Sequence, residues 1–195
     1  AAIPLVNGEY TIFIDSDDLI YSNSLDRLNK IIALNNPDII TYQLKSFNDY
    51  SDVINKEEIK ITCRSKQKSE ILDDLSTCER LNSIVCKCIR TDLIKNIDYS
   101  TIPNVSHGED LVQSTALLMN AKKIVETNEI FYLYRNNLSS ISRVIKKSHF
   151  SDIVASRTFL IESLKSIKEL TKNRSNNITN NFSEKVCDSL LTYNR

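Results

Sequence analysis

The chain of 195 residues (22.3 kDa) carries 25 Lys and Arg against 25 Asp and Glu, giving a formal net charge of zero and an isoelectric point of about 6.9. With 41% hydrophobic and 26% charged residues it has the composition of a globular domain, which excludes a disordered, collagen-like or wholly coiled-coil chain. No basic cluster exceeds Lys146-Lys147 and no apolar run reaches the ~18 residues that span a bilayer, so neither a nucleic-acid binder nor a membrane-spanning chain is expected.

Ala1 to Leu5 read as the tail of an element, and Asn7-Gly8 as a turn. Glu9 to Ile14 is β-branched and aromatic with few polar positions, the pattern of a buried strand in a parallel or mixed sheet. It runs into Asp15-Ser16-Asp17-Asp18, and the carboxyl ends of strands are where open α/β sheets bind ligands. Ser22 or Asn23 caps a helix with Leu25, Leu28, Ile31 and Ile32 at 3.6-residue spacing, ended by Asn36-Pro37. Asp38 to Leu44 returns as a strand, completing a predicted βαβ unit.

Further along, Glu58 to Cys63 alternates like a strand and Ser69 to Leu75 suits a short helix. Ser83 to Ile89 predicts another strand, with a short helix opening at Thr91-Asp92. Pro103 to Gly108 is a loop, and a helix runs from Glu109 to about Ala121 with Leu111, Thr115, Leu118 and Met119 inward. Lys123 to Val125 and Ile130 to Tyr134 read as two strands, followed by a polar loop over 136–142. A long amphipathic helix covers His149 to about Leu170, and after an Asn-rich loop a last helix is expected over 183–193.

Five cysteines (Cys63, Cys78, Cys86, Cys88, Cys187) are an odd number without a CxxC pair, which favours buried free thiols over disulfides or zinc. Gly8 and Gly108 are the only glycines, so there is no P-loop and no GxGxxG cradle.

The acidic run at 15–18 carries the chemistry. Three carboxylates within four residues repel one another, and solvent or a cation has to compensate them; magnesium or manganese is the natural partner for such hard oxygen ligands. A solvated acidic turn is the plain alternative. An EF-hand is excluded, because counting from Asp15 places Ile20 and Asp26 where a glycine and a glutamate are required. A haloacid-dehalogenase-like phosphatase would use Asp15 as nucleophile and Asp17 as acid/base, although Leu19 departs from that pattern.

Gly8 to Asp18, followed by Ser24 to Leu28, resembles the "GEYIxFLDSDD" segment and ensuing helix of family 2 glycosyltransferases of the GT-A fold. Three more segments resemble that family in order: Lys87 to Ile94, Gly108 to Leu111, and Tyr132 to Arg135 with Ser140 to Ser142. The resemblance covers about residues 1–145 and implies an α/β, partial GT-A-like (Rossmann-like) mixed sheet flanked by helices over 1–148, with a helical extension over 149–195. It implies metal-dependent, inverting transfer of a sugar from a nucleotide-sugar donor to a carbohydrate or lipid-linked acceptor, in surface polysaccharide synthesis.

By motif position, Asp17 and Asp18 are the expected Mg2+ or Mn2+ ligands. Asp15 and Asp17 would contact the donor, and Lys87 and Arg135 would offset its diphosphate. Lys87 and Arg90 are read equally well as members of structural ion pairs, and Arg135, with Arg143, as surface groups. The resemblance makes Asp110 the general base toward the acceptor hydroxyl, with Glu109 as an acceptor-binding neighbour. Helix physics alone explains that pair as a complement to the macrodipole. His107 is an exposed loop residue or a ligand to phosphate, acceptor or metal, and His149 a cap or surface group.

The family's domain begins well before its acidic strand, so a nucleotide-binding portion of ~60 residues is expected from elsewhere, in a longer protein or another chain. A homodimer is the alternative cover for the sheet edge this leaves. A cytoplasmic location is expected, peripheral to the inner membrane face at most. The other alternative is a non-catalytic binding module derived from a transferase.

Overall fold

Strand β1 (Tyr10–Ile12) pairs antiparallel with β5 (Lys87–Arg90), which pairs antiparallel with β3 (Ile39–Phe47). β3 runs parallel to β6 (Ile124–Arg135), whose other side takes two short antiparallel partners. These are β4 (Cys63–Lys66) against the start of β6 and β2 (Leu19–Ile20) against its end. The result is a six-stranded mixed sheet in the order β1-β5-β3-β6-β2, an α/β architecture as the sequence predicts. The structure, a computed structural model, describes residues 3–49, 62–136 and 149–167. The expectations for 58–61, for the loop with Ser140, Ser142 and Arg143, and for the helix over 183–193 lie outside the described residues.

The molecule divides into two compact units. One holds the six strands with α1 (Ser24–Asn35) and the short α4 (Thr91–Lys95). Its core sets Leu28 and Ile31 of α1 against Ile40, Tyr42, Cys88, Val125, Phe131 and Tyr132, with Tyr42 and Phe131 meeting edge-on at 5.2 Å between ring centroids. The Tyr42 hydroxyl, buried in this core, donates to the Val85 carbonyl at 2.8 Å. Helix α1 ends where Asn36 enters the left-handed region (φ 44°), a conformation asparagine tolerates, just before Pro37. Leu25, expected inward, is exposed, and the buried stripe is Ser24, Leu28 and Ile31.

The second unit holds α2 (Lys68–Thr77), α3 (Glu79–Asn82), α5 (Glu109–Asn120) and α6 (His149–Lys165). Helix α5 packs against each of the other three, so its sides are almost all covered: every residue from Leu111 to Leu118 except Gln113 is buried. Ser114 donates to the Asn82 carbonyl at 2.7 Å, and Lys68 to the Met119 carbonyl at 2.6 Å, tying α3 and α2 to α5.

Three local readings are corrected. β1 is not a fully buried strand but a half-buried antiparallel edge of the described sheet. Its aromatic character serves one contact set: the Tyr10 hydroxyl donates to the Pro37 carbonyl at 2.6 Å, and the Arg90 guanidinium lies over the Tyr10 ring, 5.3 Å from its centroid. The βαβ unit is interrupted, because β5 lies antiparallel between β1 and β3, and β2 intervenes in the chain before α1.

Third, the two strands predicted over 123–134 are one. The polar run Thr127-Asn128-Glu129 looks like a turn, but the register with β3 jumps there and absorbs the extra residues as a bulge. Glu129, buried in that bulge, accepts at both carboxylate oxygens from one guanidinium nitrogen, Nη1 of Arg27 in α1, at 2.7 and 2.5 Å. Of the cysteines, Cys86 and Cys88 are buried free thiols, Cys78 is partly buried and Cys63 exposed; burial pushes the Cys88 thiol up to about 12.

Asp38 ties the starts of β3 and β6 to the end of the antiparallel β5. Its Oδ2 accepts from the Lys122 and Lys123 amides at 2.7 and 2.9 Å, its carbonyl accepts from the Arg90 amide at 2.8 Å, and Arg90 Nε lies 3.3 Å from Oδ1. Burial raises its proton affinity, but the two amides and the guanidinium outweigh that and hold the carboxyl below its ordinary range. A depressed carboxylate stabilises the fold above its unfolded value and loses that contribution as pH falls through the folded one. Asp38→Ala is therefore expected to cost about 1–3 kcal/mol in urea unfolding at pH 7. The deficit should shrink below about pH 4; an equal deficit at pH 7 and pH 3 would rule out the charged contacts as its source.

Candidate active site

β1 and β2 lie at opposite edges of the sheet, so residues 13–18 have to cross it. Laid flat, four strand spacings amount to about 19 Å, against about 24 Å of reach for the seven steps from Ile12 to Leu19. The crossing therefore has little slack, and Phe13 packs on the core beneath it. Slack is taken up once, in a tight turn closed by the Asp18 amide donating to the Asp15 carbonyl at 3.1 Å. Ser16 and Asp17 form the corner of that turn.

The three carboxylates end up in different environments. Asp18 is 7% exposed; its Oδ2 accepts the Tyr132 hydroxyl proton at 2.6 Å and its Oδ1 accepts the Arg135 amide at 2.8 Å. The Tyr132 hydroxyl also accepts from the Asp15 amide at 3.1 Å. One tyrosine thus holds both ends of the turn to the last residues of β6, where β2 continues the attachment through Leu19 opposite Leu133. Burial first, then the bond to Asp18, raises the Tyr132 phenol's proton affinity, so it stays a donor throughout the ordinary pH range.

Asp15 and Asp17 are exposed, and among the described residues no hydrogen bond or ion pair occupies the Asp17 carboxylate. Partial burial, and then the carboxylates of Asp18 and Asp17, hold the Asp15 carboxyl above its ordinary range. The second of these causes, like-charge crowding, is the one a cation would relieve. No cluster of three or more His, Cys, Asp or Glu arranged around a metal position occurs among the described residues. The donor set is instead one or two outward oxygens, which fits Mg2+ or Mn2+ because those ions keep waters and take phosphate oxygens in place of a full protein cage.

The predicted basic residues separate. Lys87 is fully buried in β5, so in this conformation it does not meet a ligand arriving from solvent. Arg90 has the structural role weighed for it: besides Asp38 and the Tyr10 ring it donates to Asn36 Oδ1 at 2.7 Å and to the Pro37 carbonyl at 2.9 Å. Arg135 is half-buried at the end of β6, where its amide serves Asp18.

Glu109 and Asp110 stand in the first turn of α5, in the second unit, Glu109 exposed and Asp110 half-buried. The approach to that turn is tightly built. Asp152 of α6 accepts at Oδ2 from the Ser106 amide (3.0 Å), the Ser106 hydroxyl (2.8 Å) and the His107 amide (3.1 Å), and the first two of these lead in holding its carboxyl below the ordinary range. The His107 and His149 rings stack at 4.5 Å between centroids and 7° between planes, so each histidine has a packing role. Gly108 then turns with φ +83°, and a β-carbon there would sit 2.9 Å from Ser156 Oγ. Only glycine combines that backbone with that closeness to α6. The sequence singled out Gly108 and His107 but had no signal for Asp152 or Ser156, which lie more than forty residues away.

No protein-family model and no curated protein matches the chain. Solved structures do: the chain is similar to the crystal structure of Staphylococcus aureus TarS 1-349 in complex with UDP-GlcNAc, at TM-score 0.66 and 20% identity, over 91% of this chain and 48% of that one. TarS 1-349 in complex with UDP matches at TM-score 0.61 and 19% identity, over 91% and 46%, and TarS 1-349 alone at 0.61 and 19%, over 93% and 48%. The chain shares their fold. It spans about half the length of these structures, and the α/β, GT-A-like architecture expected from the motifs is the one found.

Two substitutions test how this geometry is held. Tyr132→Phe is expected to cost about 1–2 kcal/mol in urea unfolding and to couple with Asp18→Asn in a double-mutant cycle; additive losses would mean the pair does not interact. Gly108→Ala is expected to lower stability by about 2 kcal/mol through backbone strain and the clash with Ser156, and Gly108→Ala with Ser156→Ala should recover only the part due to the clash.

Proposed function

We propose that this chain is part of a glycosyltransferase that moves a sugar from a nucleotide-sugar donor to a carbohydrate or lipid-linked acceptor. The observation that carries this reading is the acidic turn itself. Its tip, Asp17, has its carboxylate exposed while Asp18 and Tyr132 hold the turn from behind, on a fold shared with structures solved with UDP and UDP-GlcNAc.

In this reading Asp17, supported by Asp15, holds Mg2+ or Mn2+, and Asp18 contributes chiefly by fixing the turn. Such an ion, when bound, supplies positive charge to the donor's diphosphate as the nucleotide departs. Arg135, at the end of the strand that anchors the turn, is the remaining described candidate for a donor phosphate. Asp110 takes the proton from the acceptor hydroxyl, giving transfer with inversion, and Glu109 binds acceptor.

The location that suits such a reaction is cytoplasmic, at the membrane's inner face, in surface polysaccharide synthesis; no helix among the described residues is long and apolar enough to cross a membrane. A phosphatase with Asp15 as nucleophile gains nothing from the fold likeness.

The direct test is calorimetry of UDP with and without manganese on the 195-residue chain. Manganese-dependent binding that weakens at least about tenfold in Asp17→Ala supports the reading. UDP binding that ignores both manganese and Asp17 would sink it. In the full protein, Asp110→Asn is expected to lower turnover about 10²- to 10⁴-fold with UDP affinity unchanged, measured as UDP release.

A further inference from the structure

The helical unit contains a pocket of about 430 Å³ that none of the motifs pointed to, and Glu109 is one of its walls. That volume falls in the range of small-molecule sites, roughly 300–1,000 Å³. Its lining combines an aromatic face, Tyr99, with apolar walls from Ile102, Pro103 and Val112. Hydrogen-bonding groups come from Asn104, Glu109 and Gln113. No lining residue is a lysine, arginine or histidine.

The wall carrying Tyr99 is pre-ordered. Asp98 Oδ1 accepts from the Ser100 amide at 3.0 Å and the Ser100 hydroxyl at 2.6 Å, and Thr101 donates to the Asp98 carbonyl at 2.8 Å. This closes the 3-10 turn Tyr99–Thr101 and presents the ring, 42% exposed, at the pocket. The opposite wall is the first turn of α5, itself fixed by the contacts of Gly108 and Asp152.

Chemistry selects among ligands. A phosphate needs cationic or free amide donors, and here the positive end of the α5 dipole already faces the carboxylates of Glu109 and Asp110. An apolar ligand would leave the amides and the carboxylate at the wall without partners. A sugar ring satisfies both kinds of surface: its C–H face lies on an aromatic or apolar wall while its hydroxyls bond amide and carboxylate oxygens.

We infer that this pocket binds an uncharged sugar unit, as the subsite for the part of the acceptor next to the reacting hydroxyl. The role as acceptor subsite rests on Asp110 being the base; the preference for a neutral sugar rests on the pocket alone.

The test is a titration of the isotope-labelled 195-residue chain, followed by amide NMR, with the neutral disaccharides cellobiose, maltose and chitobiose, with glycerol 3-phosphate, and with glucosamine. At least one neutral disaccharide should shift the Tyr99, Val112 and Gln113 amides saturably. Tyr99→Ala should weaken it about tenfold and Tyr99→Phe about twofold or less, with thermal midpoints unchanged. Silence with all three disaccharides overturns the inference, as does stronger binding of glycerol 3-phosphate or glucosamine, or a Tyr99→Ala affinity equal to wild type. A parallel titration with manganese and UDP, read at residues 15–18, separates the two proposals. Sugar shifts with no response at residues 15–18 to manganese alone keep the pocket and remove the cation site on which the transferase reading rests; a manganese response there with a silent pocket does the reverse.

Discussion

The hydroxyl of Tyr132 is the contact on which the acidic site depends. An aspartate as enclosed as Asp18 is tolerated only if its oxygens are satisfied, and here the phenol and the Arg135 amide satisfy one each. The same phenol oxygen takes the Asp15 amide, so a single side chain at the end of β6 fixes both arms of a turn between opposite sheet edges. Without it the crossing segment would keep the Arg135 amide bond to Asp18, the short β2 pairing and the packing of Phe13, and the Asp15 arm would lose its tie to β6.

That arrangement divides labour among neighbouring carboxylates. Asp18 spends its oxygens on the protein, which leaves Asp17 at the corner and Asp15 beside it facing solvent. Three like charges in four residues are costly, and Asp15 is held above its ordinary range first by its own partial burial and then by the carboxylates of Asp18 and Asp17. The turn is thus held from behind and acidic in front, so its exposed carboxylates are presented from a fixed backbone.

The helical unit uses a different device for the same end. Its candidate base stands at the start of a helix whose flanks are almost wholly covered, and the approach to that helix is pinned by one carboxylate from α6 and by one glycine that α6 leaves no room to replace. The pocket beside Glu109 follows from this rigidity, since its Tyr99 wall is held by local hydrogen bonds to Asp98 and its α5 wall by contacts with α6.

Much was legible in the sequence. Patterns governed by short-range spacing were readable, because apolar periodicity and capping act within one element: α1 and its stop at Asn36-Pro37, α2, α4, α5 from Glu109 and the presence of β3. Ordered motifs likewise pointed to the α/β fold and to the carboxylates. What the sequence could not specify was pairing between distant segments. The antiparallel insertion of β5, the register with β3 that makes 124–135 one bulged strand, the pairing of Arg27 with Glu129, the enclosure of Lys87 and the partners Asp152 and Ser156 all depend on residues far apart in the chain. The order of residues alone determined that three acidic groups would crowd one turn; only the folded chain, by placing Tyr132 beneath them, decided which of the three is enclosed and which are left to face solvent.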